Sequence, residues 1–118
     1  MVLVDTSVWI AHFRQREPVL VDLLCDGLVL AHPFVNGELA CGSLSERASI
    51  LADLAALPAA TRASDAEVMH LVESRKLWGR GLGWVDAHLL ASALISHCRL
   101  WTVDKRLGAA ASELGISE

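Results

Sequence analysis

Apolar residues fall along this chain in two kinds of run, short unbroken blocks and longer stretches with helical spacing. The blocks are Val2-Leu3-Val4, Leu28-Val29-Leu30-Ala31 and Leu100-Trp101-Thr102-Val103. Blocks this short, without alternation, suit strands buried on both faces, as in a parallel sheet. Between them, Thr6 to Phe13 reads as a short helix with Asp5 or Thr6 as its cap. Pro18 opens a second helix through Leu24, and Gly27 stops it. Residues 34–42 and 45–57 read as two more, the latter capped by Ser45 and ended by Pro58.

A weak extended segment is expected at 58–62. Ser64 then caps a helix from Asp65 to Leu77, with Val68, Leu71 and Val72 on one side. Gly79, Gly81 and Gly83 make the next stretch a freely bending loop. The longest helix, 84–97, is apolar nearly all round and so is expected to be buried on most faces. A last helix follows Asp104 and ends at Leu114, before Gly115. Strands alternating with helices in this order predict an α/β domain with a parallel sheet, one domain over residues 1–118.

Composition narrows the setting. At 118 residues and 53% hydrophobic, the chain can bury a core. No apolar run is long enough to span a membrane. The N-terminus has no basic region before its apolar block and meets Asp5 almost at once, so it does not read as a signal peptide. Cys25, Cys41 and Cys98 are an odd set without C-x-x-C spacing, which predicts buried free thiols and a cytoplasmic setting. The formal charge of −4 argues at face value against nucleic-acid binding. That objection weakens if several acids are gathered around a cation, which inverts the local field.

Most of the 14 acids lie on polar helix faces, at helix starts or at the terminus, where solvation accounts for them. Four do not. Asp5 and Asp104 each end a hydrophobic strand, in VLVD and LWTVD. Ligands of open parallel sheets bind at the carboxyl ends of strands, and neighbouring strands would bring these two carboxylates out side by side. Two adjacent anions repel unless a cation lies between them. A helix follows each, so capping is the competing explanation. Asp86 stands in the first turn of the apolar helix, where the dipole favours an anion, just after the glycine loop. Glu38 is a lone acid amid Val35, Leu39 and Ala40, expected to be either buried at a cost or paired. Four carboxylates with few competing nitrogen or sulfur ligands suit a hard cation, Mg²⁺ with Mn²⁺ as a substitute. Such a site activates water for attack on phosphorus and stabilises the leaving oxygen.

The motifs VLVDTSVWI (2–10), NGELACG (36–42), WVDAHLLASAL (84–94) and LWTVDKRL (100–107) together resemble those of PIN-domain nucleases, and among them the VapC toxins of toxin–antitoxin pairs. The resemblance covers essentially the whole chain and implies a three-layer α/β/α fold with a short, mostly parallel sheet. It implies a magnesium-dependent endoribonuclease whose metal is held directly by Asp5 and Asp86, and directly or through water by Glu38 and Asp104. Thr6 and Thr102 match supporting hydroxyl positions. Leu107 departs from the Phe more usual there, which bears on packing. A small VapB-like antitoxin and a homodimer are further implications.

Weaker signals flank these acids. Arg75, Lys76 and Arg80 precede the glycine loop and Lys105 and Arg106 follow Asp104, so they can grip RNA phosphates or simply complement helix ends. Trp78 can stack on a base or pack against a partner. His12, His32, His70, His88 and His97 share no metal-ligand spacing and read as surface or core residues. No G-x-S-x-G elbow, GxGxxG or P-loop is present. Two alternatives remain at this stage: a PIN-type nuclease of RNA processing, and a non-catalytic binding module. The second would not need the four acids together.

Overall fold

The computed structural model describes residues 1–118. In chain order the elements are β1 (Val2–Val4), α1 (Thr6–Arg14), α2 (Pro18–Cys25), β2 (Val29–Leu30), α3 (Pro33–Cys41), α4 (Arg47–Ala56), α5 (Asp65–Arg75), α6 (Trp84–Ile95), β3 (Arg99–Trp101) and α7 (Lys105–Glu113). The three strands form one sheet in the order β2-β1-β3. Both pairings are parallel, with Leu3 opposite Leu30 on one side and Leu100 on the other. β1 is buried along its length, as its unbroken apolar block requires. Helices cover the sheet in a three-layer α/β/α arrangement.

Each sheet edge carries a single-bridge addition. Ala59 pairs with Ala31 beyond β2, and Ser117 pairs with Leu100 beyond β3. The extended segment expected at 58–62 is reduced to that one bridge. The third strand ends at Trp101, two residues before Val103, because Thr102 turns its hydroxyl into the site described below.

α6 is the central helix. Ala87 to Ala93 are all buried, and Leu89 and Leu90 join Leu3, Val4, Leu100 and Leu107 in the main apolar cluster. Fully burying a leucine stabilises by roughly 1.5–3 kcal/mol, so this cluster fixes α6 against the sheet. Ser64 forms a capping box with Glu67 at the start of α5, as expected. Ser45, in contrast, does not cap α4. That helix begins at Arg47, and Glu46 precedes it in the left-handed region at φ 52° without a side-chain cap bond.

The cysteines are all free, but only Cys98 is buried. Cys25 and Cys41 end α2 and α3 on the exposed side, which corrects the expectation of three buried thiols. No helix is long and apolar enough to cross a membrane.

Candidate active site

The register of β1 and β3 builds the first half of the site. Val4 pairs with Trp101, so Asp5 and Thr102 leave the sheet side by side at its carboxyl edge. This is also where the strand order switches, with β2 on one flank of β1 and β3 on the other. The Asp5 amide donates to the Trp101 carbonyl at 2.9 Å. Asp5 Oδ2 accepts from Thr102 Oγ1 at 2.8 Å and from Ser7 Oγ at 2.6 Å. Thr102 Oγ1 in turn accepts from the Asp104 amide at 3.0 Å. The two strand-end acids are therefore linked through one threonine hydroxyl.

Both of these acids also cap helices. Asp5 accepts from the Ser7 amide at the start of α1. Asp104 Oδ1 accepts from the amides of Arg106 and Leu107, at 2.9 and 3.1 Å, at the start of α7. Capping and site-building are compatible here, because the caps engage one oxygen of each carboxylate.

The same division holds for the other two acids. Glu38 Oε1 accepts from Thr6 Oγ1 at 2.7 Å, which ties α3 to α1. Asp86 Oδ2 reaches back to the Gly83 amide at 2.9 Å, closing the first turn of α6. In every case one carboxylate oxygen is held by a protein donor, and the second takes no hydrogen bond from the chain. Asp5 is 6% exposed. Glu38 is exposed, so it is paired through Thr6 but not buried at a cost.

Electrostatics tie the four together. The Asp86 carboxyl is pushed above its ordinary range, first by burial and then by the negative charges of Asp5, Asp104 and Glu38; the Gly83 amide opposes the shift. No lysine or arginine pairs with them: the ion pair present is Arg80–Glu113, and the other close contact is His88 Nε2 to Asp65 Oδ1 at 3.2 Å. No three acid, histidine or cysteine side chains converge into a ready-made ligand cage. The donor set nevertheless fits a small hard cation. Mg²⁺ retains several waters and is normally held by one or two carboxylates plus substrate phosphates. The free oxygens of Asp5, Glu38, Asp86 and Asp104 are the donors that such an ion would take.

The basic residues are less closely bound to the site. Arg80 is engaged with Glu113 of α7 at 2.7 Å. Arg106 lies across Gly81, where an added Cβ would collide with its guanidinium. Arg75, Lys76 and Lys105 are exposed. None of the five pairs with the four acids.

Ser7 is a functional position that sequence reasoning passed over. Its hydroxyl donates to Asp5, lies 3.2 Å from Thr102 Oγ1 and accepts from the Val103 amide. The run Asp-Thr-Ser at a strand end is the only local signal for it. The rest depends on β3, far along the chain.

A family model described as PIN domain matches residues 2–113. A protein named ribonuclease VapC32, from two strains of Mycobacterium tuberculosis, is 52% identical to this chain over 118 residues. The match spans 99% of this chain and 95% of the relative.

Proposed function

Because the chain belongs to the PIN-domain family, among its VapC-type members, we propose that it is a magnesium-dependent endoribonuclease serving as the toxin of a toxin–antitoxin pair. The observation that carries this reading is the set of four carboxylates at one sheet edge, each anchored through one oxygen and open at the other. Anchoring fixes the position of each charge. The open oxygens leave the set able to take a cation.

In this reading Asp5 and Asp86 hold the metal directly, and Glu38 and Asp104 act directly or through water. An ion held there would supply an activated water for attack on phosphorus and would stabilise the leaving oxygen. The chain's own part is orientation. Thr102 and Ser7 hold Asp5, Thr6 holds Glu38, and the Gly83 amide holds Asp86. Burial first, and then repulsion from Asp5, Asp104 and Glu38, disfavour the charged form of Asp86 in the absence of a cation. Neutralising that repulsion favours metal binding. A bound cation also removes the barrier that four bare carboxylates would present to a polyanionic substrate.

Unpaired loops are the natural RNA targets, since splayed bases can be reached there. The toxin role further implies a cytoplasmic protein, a small VapB-like antitoxin and a homodimer. Incubating the purified protein with RNA and magnesium, with EDTA, and as Asp5→Asn tests the central claim. Cleavage in the first case alone is expected; equal cleavage in all three would overturn it. Growth arrest on expression, relieved by a small co-expressed partner, is the outcome expected of a toxin.

A further inference from the structure

Four rings run in a row from the β2–α3 corner to the start of α6. His32 meets Phe34 edge-on at 5.2 Å, Phe34 meets His88 at 4.6 Å, and His88 meets Trp84 at 4.8 Å. The row begins fully buried, since His32 and His88 have no exposed surface. It ends in the open, with Trp84 45% exposed. Trp84 is the first residue of α6, directly after Gly83, whose amide holds Asp86.

An exposed tryptophan is ordinary, but one backed by a fully buried ring is less so. His88 sits one turn along α6 from Trp84 and meets its ring at 85°. That leaves an indole fixed in orientation with much of its surface open to solvent. Trp78, in the preceding turn, is 58% exposed and packs on no other ring. At the other end of the row the Arg62 guanidinium lies 4.6 Å above Phe34. Arg62 is exposed and bound to no carboxylate. The exposed Asp65 carboxylate lies 3.2 Å from His88 Nε2, so the row carries one charge of each sign. An open aromatic face with a guanidinium two rings away is a composition found at single-stranded nucleic-acid contacts.

Resting on the nuclease reading above, we propose that Trp84 is a stacking platform for an unpaired nucleobase flanking the scissile bond, with Arg62 contacting a neighbouring phosphate. Trp84 and Asp86 share the first turn of α6 but point to different sides. The base on Trp84 therefore belongs to a flanking nucleotide, and Asp86 faces the reacting phosphate. The pre-ordered ring lowers the entropic cost of gripping a flexible strand. It acts as a binding group and takes no part in the chemistry.

The test uses the wild-type protein, Trp84→Ala, Trp84→Phe and Arg62→Gln, with a short fluorescein-labelled single-stranded RNA of mixed sequence. Cleavage in magnesium gives KM and kcat, and RNA quenching of tryptophan emission reports stacking. For Trp84→Ala we expect KM to rise by about 5- to 150-fold, the range for one base stack, with kcat held and quenching reduced. Trp84→Phe should recover most of the affinity, and Arg62→Gln should lower the salt dependence of binding. Unchanged KM and quenching in Trp84→Ala, with an active wild type, would overturn the platform and leave the nuclease reading standing. A wild type that neither binds nor cleaves the RNA would overturn both. If Trp84→Ala keeps its RNA affinity but loses a co-purifying protein partner, the surface is a protein interface and the proposal fails.

Discussion

At the scale of single residues, Asp5 and Asp104 each carry two duties, and substitution can separate them. Asparagine caps a helix about as well as aspartate, whereas alanine costs about 0.5–2 kcal/mol at such a position. Asp5→Asn and Asp104→Asn should therefore melt close to the wild type yet cleave no RNA, and the alanine variants should lose stability as well. Thermal melts beside a cleavage assay check this. Asp86 adds a pH signature. Its folded-state pKa is raised above 3.8, so the metal-free fold is least favoured where Asp86 is ionised. It gains stability as pH falls through the raised value. Asp86→Asn without metal should be more stable than the wild type at neutral pH and should lack that gain. Magnesium should raise the melting temperature of the wild type and leave the variant's unmoved. All four acids were legible because each interrupts an apolar context. Ser7 was not, since its worth comes from Thr102, 95 positions away. Glu38 was placed by its isolation as either buried or paired, and it is paired; the partner, the Thr6 hydroxyl, was not legible because it belongs to another element.

At the scale of elements, the loop between α5 and α6 is under tight constraint despite its glycines. Gly81 has φ +77°, and a side chain there would meet Arg106 of α7. Gly81→Ala should cost about the ordinary left-handed penalty, about 1 kcal/mol, because the exposed Arg106 side chain can swing aside. Denaturant melts would show the loss, and Arg106→Ala in the same background should leave it nearly unchanged. His32 couples β2, α3 and α6 in a similar way. Its Nδ1 accepts from the Phe34 amide at 3.0 Å and its Nε2 lies 3.1 Å from Ser92 Oγ. Burial, then the charges of His88 and Arg62, lower its pKa from 6.5 to about 4. The unfolded chain takes up a proton below 6.5 that the folded one refuses until about 4, so stability falls across that window. His32→Asn keeps an acceptor for the Phe34 amide and should flatten that part of the pH–stability curve. Capping chemistry made Ser64 and α5 readable in advance. It misled at Ser45, because the chain enters α4 through a left-handed Glu46, which no local pattern announced.

At the scale of the whole molecule, a net charge of −4 was a poor guide to partners, because its weight lies in where four acids meet. Their meeting depends on β1 pairing with β3 across the length of the chain. Alternation of strands and helices indicated a parallel sheet but left the order β2-β1-β3 open. The sheet's own borders bear on how this protein can assemble. Ala59 is bridged to Ala31 on one side and Ser117 to Leu100 on the other, so each border of the sheet is covered at one residue. A companion chain that lends β2 or β3 another strand must displace the segment bridged on that side. A partner that leaves those bridges in place meets helix faces and loops, and its grip comes from side chains instead of backbone ladders. Hydrogen exchange on complex formation should accordingly slow amides on the outer helices and leave those of β1 to β3 as they were. New protection along β2 or β3 would mean that a bordering segment had been displaced.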